Sequence, residues 1–167
     1  TGQLVTFSIS PDLNGYTPAQ SIAFFERVED SVRALPGVTS VSMSTVGLIS
    51  GSNWNSSVRV QGFDAGPDTN TSASFARVGT AFFKTLGIPL VRGREFTAAD
   101  AASAPKVAIV NQAFVKKFNL GDRAIGTRMS TGREEEALDI EIVGLVQDAK
   151  YSEVRDAIPP QFFMPYR

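Results

Sequence analysis

The stretch Phe75–Arg94, F-A-R-V-G-T-A-F-F-K-T-L-G-I-P-L-V-R-G-R, restricts the fold more than any other part of the chain. It predicts a strand at Phe75–Val78, a turn at Gly79 and a short helix carrying Phe82, Phe83 and Leu86. Gly87 stops that helix, because glycine enters the left-handed C-terminal cap without a Cβ clash. Ile88–Val91 reads as a short extended piece, and Pro89 near its start suits a sheet edge. Arg92 and Arg94 flank Gly93, after which Thr97 and Asp100 have the spacing of a capping box opening a second helix. These turn devices specify a compact unit and perform no chemistry.

Thr1–Ile9 alternates as a strand would, with Val5, Phe7 and Ile9 on one face and Thr6 and Ser8 on the other. Pro11–Tyr16 is a turn. Thr17 caps a helix, with Pro18 in its first position and Gln20 completing the box. Ile22, Phe25, Val28, Val32 and Leu35 then share one face, and Leu35-Pro36-Gly37 ends the helix. Val38–Val46 reads as a second strand, which makes a βαβ unit with a right-handed crossover. Gly47–Ser57 reads as a linker around the single Trp54, which is either a packing residue at a hinge between lobes, the simpler reading, or an exposed anchor for a partner. Strands are expected at Val58–Phe63, Lys106–Val110, Asp139–Val146 and Gln161–Tyr166. Asn111 caps a helix over Gln112–Phe118.

Much chemistry is excluded by composition. The chain has no histidine and no cysteine, which removes Ser-His-Asp arrangements, thiol nucleophiles, disulfides and imidazole or thiolate metal sites. Sixteen basic residues against seventeen acidic give no electrostatic case for a nucleic-acid partner. No apolar run approaches the roughly 20 residues that span a bilayer, and no signal peptide is seen. Asp139 and Glu141 share a strand face, but alternation alone produces such pairs. Glu134, Glu135 and Glu136 lack the ligand spacing of a calcium loop and read as a solvated tip. Gly121–Thr127 has two glycines before a threonine, yet it lacks a lysine and follows a helix, so it is not a phosphate loop. Arg92 and Arg94 are expected to pair with local carboxylates, and most of the phenylalanines to form the core. The residues thus name no catalytic, cofactor-binding or metal site, and no cofactor.

Four blocks carry a family resemblance. They are V-G-x-x-F-F-x-T-L-G-I-P-L-x-x-G-R-x-F-T-x-x-D from Val78 to Asp100, V-A-I-V-N-Q-A-F at Val107–Phe114, G-D-R-A-I-G-T-R at Gly121–Arg128, and I-V-G-L-V-Q-D at Ile142–Asp148. With L-P-G-V-x-S-V at Leu35–Val41, their order resembles the extracytoplasmic domain of MacB-type and FtsX-like ABC transporter permeases, nearest the acidobacterial-type stand-alone group. The resemblance implies an α+β, two-lobed fold: a membrane-proximal βαβ unit over 1–50 and a mixed β-rich lobe with short helices over 51–167. It also implies that a second half of the first lobe follows the F-F-M-P-Y segment and is missing here. The 1–46 unit should therefore pack on the other lobe or on a neighbouring molecule.

In function, the resemblance implies a non-catalytic periplasmic domain of a bacterial inner-membrane permease. It would transmit ATP-driven conformational change for export or efflux, with Gly47–Asn55 as a candidate hinge. The implied partners are a separate cytoplasmic ATPase, a second permease subunit in a dimer and a possible periplasmic adaptor. Two other classes stand beside it. A ligand-binding, sensing or lipoprotein-handling module would need an apolar cleft between the lobes. A carboxylate-based hydrolase would need two convergent carboxylates of perturbed acidity.

Overall fold

The computed structural model describes residues 3–46, 54–100, 104–132, 137–149 and 157–166. Helix α1 (Pro18–Arg33) begins where its caps dictate. The Thr17 hydroxyl accepts from the Gln20 amide at 3.3 Å, and Gln20 Oε1 accepts from the Thr17 amide at 2.8 Å. Helix α2 (Phe82–Leu86) stops at Gly87, whose φ is 68°. There the Ile88 amide donates to Phe83 O at 2.8 Å and the Gly87 amide to Lys84 O at 3.2 Å, the two bonds of a Schellman motif. Phe83 and Ile88 then meet in one apolar cluster, the contact that usually accompanies this cap. Helix α3 (Gln112–Lys117) is capped by Asn111, and it ends through left-handed Asn119 in the same manner.

Seven strands follow in chain order: β1 (Trp54–Val60), β2 (Ser72–Val78), β3 (Leu90–Gly93), β4 (Val107–Asn111), β5 (Arg128–Thr131), β6 (Ile140–Val146) and β7 (Gln161–Pro165). Their order is β3-β6-β4-β7-β2-β1-β5, and β5 pairs again with β6, so six of them close into a ring. One edge of β6 is shared: β5 takes its first residues (Arg128↔Glu141) and β3 its last (Gly93↔Gly144). Closure removes exposed strand edges. Strand β3 is left outside the ring as an edge, as Pro89 predicts.

The ring has two faces and each buries its own cluster. Inside lie Val58, Val60, Ala108, Val110, Met129, Ile142, Phe162 and Met164, with Phe114 of α3 and Phe118 just after it closing one side. Outside, Val78, Ile109 and Phe163 pack under Phe82 and Phe83 of α2 with Ile88 and Phe96. Adjacent residues such as Phe162 and Phe163 serve opposite faces, the period-two signature of a strand buried on both sides. On β6 the parity changes at Val143, where the register against β4 shifts. Ile140 and Ile142 point in before the bulge, and Leu145 points in after it. Buried Asn111 joins three elements: Oδ1 accepts from the Phe114 and Gln161 amides, and Nδ2 donates to Pro159 O.

The α+β class and the β-rich lobe with short helices are as expected, but the flanks of α1 differ. The strand expected over Thr1–Ile9 has no ladder partner among the described residues, and Val5 and Phe7 are 80% and 63% exposed. Alternation marks a face. A strand also needs a neighbour to take its N–H and C=O groups. Of the strand expected over Val38–Val46, only the bridge Ser44↔Val78 forms. Strand β1 begins at Trp54, where a linker was expected, and ends at Val60, short of Phe63. Its Asn-Ser-Ser sequence pairs with Ser72–Ser74, so tertiary pairing overrides loop-like composition. Trp54 itself is 54% exposed, against the expected packing role. The helix expected beyond Arg94 is only a turn through residues 98–99 in the described part, and 101–103 lie outside it.

Candidate functional site

The acidic pair singled out by sequence divides between a loop and a strand: Asp139 precedes β6 and Glu141 lies on it. Asp139 accepts from Lys106 Nζ at 2.6 Å, and Glu141 stands opposite Arg128 in the β5–β6 register. Glu134, Glu135 and Glu136 fall outside the described residues. Among the described residues, no group of three acidic side chains gathers as a metal site would require. Gly121–Arg123 is a 3-10 turn that follows α3. A shallow depression of about 370 Å³ is lined by residues 58–65 and Leu138, along β1 and the turn after it. It does not lie between the N-terminal segment and the sheet.

Both arginines pair locally, as expected. Arg92 reaches Asp122 at 2.9 Å on the surface. Arg94 forms a two-pronged pair with Asp100 at 2.7 and 2.8 Å, and Asp100 also accepts from the Thr97 amide and hydroxyl. The Arg94 hydrogen bonds, reinforced by Thr97, hold the buried Asp100 carboxyl below its ordinary range. Its charged form therefore stabilises the fold at pH above the unfolded carboxyl value, about 3.9. That contribution is lost as pH falls through the still lower folded value. Asp100→Asn should lower stability at pH 7 by about 1–3 kcal/mol and flatten the decline below pH ~4, read from urea midpoints across pH.

A seam of mostly polar contacts joins α1 and residues 38–46 to the ring. The Gly79 amide donates to Met43 O at 2.9 Å, and the Thr45 amide to Arg77 O at 2.9 Å. These bonds occupy the edge of β2 just past its pairing with β1, which stops at Phe75. Thr85 Oγ1 gives its single proton to Ala81 O at 2.7 Å, so Ser40 Oγ is the donor in the 2.6 Å contact with Thr85. An edge-on ring contact, Phe25 to Tyr166 at 5.8 Å, completes the seam. Glycine at 79 permits the close approach: a Cβ there would lie 3.0 Å from both Glu29 Oε1 and Ser42 Oγ.

These residues were not identified from the sequence. One signal was present: Glu29 lies four residues after Phe25 and seven after Ile22, which puts a charge on the apolar stripe of α1. Glu29 is indeed buried, and with Ser21 it is one of the two buried residues of that helix. The expectation that the N-terminal unit packs against the rest of the chain is met by this seam. Of the candidate hinge Gly47–Asn55, only Trp54 and Asn55 lie among the described residues.

The family model for the MacB-like periplasmic core domain matches residues 1–167. Among solved structures, the chain is similar to the periplasmic region of MacB from Actinobacillus actinomycetemcomitans, at 17% identity and a TM-score of 0.57 over 84% of this chain and 54% of that one. It is also similar to the extracellular domain of the noncanonic ABC-type transporter YknZ from Gram-positive bacteria, at 14% identity and a TM-score of 0.54 over 84% and 62%. A domain of a permease protein from Porphyromonas gingivalis aligns at 18% identity and a TM-score of 0.53, over 82% and 54%. The chain thus spans between 54% and 62% of the length of these structures. A search of curated proteins returned no match.

Proposed function

Because the chain belongs to the MacB-like periplasmic core domain family, we propose that it is the non-catalytic extracytoplasmic part of an ABC transporter permease subunit, transmitting ATP-driven motion for export or efflux. The energy comes from a separate cytoplasmic ATPase, and the full permease works as a dimer, with a periplasmic adaptor as a possible further partner. Residues 1–50 belong to a membrane-proximal lobe and 51–167 to the lobe that follows. Membership in the acidobacterial-type stand-alone group rests on the sequence blocks alone.

One observation carries this reading: a closed, doubly packed ring is joined to the α1 segment by a narrow polar seam. Packed elements move as bodies, and motion concentrates where contacts are few. These 167 residues have no cysteine, so Ser40→Cys with Thr85→Cys places the one cysteine pair of this segment at side chains whose oxygens already touch at 2.6 Å; any cysteines elsewhere in the full permease are replaced first. In the full-length transporter, the oxidised pair should abolish transport, leave ATP binding intact and recover on reduction. Transport unaffected by a fully formed cross-link would refute the transmission role.

A further inference from the structure

We propose that the segment 3–45 opens from the ring along this seam while the ring stays closed, so that the fold has a built-in sub-global opening. The opening itself follows from the packing alone; only its use in transport rests on the functional reading above.

The two apolar clusters supply the argument. Every ring strand contributes to them, with α2 and α3, yet among the described residues neither cluster contains a side chain before Val46. The apolar stripe of α1, with Ile22, Phe25 and Val28, is only half-buried. The side chains that α1 does bury, Ser21 and Glu29, are polar. Among the described residues, the contacts across the seam include the bridge Ser44↔Val78, the Gly79–Met43 and Thr45–Arg77 backbone bonds, the Arg77 amide donating to Thr45 Oγ1, the Ser40–Thr85 hydroxyl contact and the Phe25–Tyr166 ring edge, most of them polar. Water replaces hydrogen bonds of this kind at small net cost, whereas opening the ring exposes phenylalanines on both faces. The segment also keeps local structure of its own. Its helix carries a complete capping box, and Tyr16, Phe24 and Phe25 stack edge to face in sequence.

Native-state hydrogen exchange on this chain distinguishes the two kinds of opening. The Gly79 amide is the best reporter, because Gly79 is buried and bonds across the seam. Ile142, whose amide bonds to Thr127 O across the ring, and Ser74, on the same strand as the seam and bonded to Pro160 O, report the ring. Gly79 and Thr45 should exchange roughly 100-fold faster than Ile142 and Ser74 and at a common opening rate. Protection of Gly79 within about tenfold of Ile142 would overturn the proposal. In the oxidised Ser40→Cys, Thr85→Cys variant, seam protection should rise toward that of the ring while Ile142 stays unchanged. Seam exchange as fast as in the reduced variant would also overturn it. If that variant does not fold, the unmodified chain still decides. Fast exchange at the seam with a transporter indifferent to the cross-link would sustain the opening and refute its use in transport.

Discussion

Alanine at Gly93 should destabilise the fold by about 3 kcal/mol or more, because two penalties fall on one residue. Gly93 has φ 76°, a conformation that costs an L-residue roughly 1–2 kcal/mol. A Cβ there would also lie 2.1 Å from Val143 O, a backbone atom fixed by the β6 ladder and the bulge. No rotamer relieves that contact, so β3 must leave β6. The partner position should fail for the second reason alone: a Cβ on Gly144 would lie 2.4 Å from Arg94 O and 2.9 Å from Ile109 Cγ1. Gly87 provides the control, with φ 68° and nothing within 4 Å of its Cβ, and Gly87→Ala should cost only about 1 kcal/mol. Urea unfolding of the three variants separates strain from clash. Equal losses at Gly87 and Gly93 would mean that β3 does not approach β6 as closely as the structure has it.

Those glycines mark where sequence reasoning stopped. The stop at Gly87 was legible because a helix end is local: a glycine, two carbonyls and an apolar contact five residues apart. The same holds for the caps at Thr17 and Asn111 and for the edge position after Pro89. Nothing local says that Gly93 faces Gly144, since fifty residues intervene and the pairing depends on two register shifts. Ring closure through β5 was hidden likewise, because β5 presents four residues with little alternation to read. The opposite error occurred at the N-terminus. Val5, Phe7 and Ile9 carry a clean strand pattern, yet no described neighbour pairs with them. The lack of histidine and cysteine is plain in the composition, while the seam is not, since Ser40, Ser42 and Gly79 resemble any small loop residues until α1 is set over them.

Phe163→Ala should remove about 3–5 kcal/mol, and Phe7→Ala less than about 0.5 kcal/mol, although both are phenylalanines on segments with strand-like sequences. Phe163 is 1% exposed at the centre of the outer cluster. The Phe83 ring meets it edge-on at 5.0 Å and the Phe82 ring lies at 6.1 Å. Its neighbours cannot collapse into the vacated space, because Ile109 and Ala76 are held in register on either side by β4 and β2. The cost therefore includes the cavity as well as the lost transfer energy. Phe7 is 63% exposed and leaves little behind when truncated. The contrast tests the division between a ring that carries the stability of the fold and an N-terminal segment that rests on it. A loss at Phe7 approaching that at Phe163 would mean that Phe7 is buried in solution, so that more than the seam holds the segment to the ring.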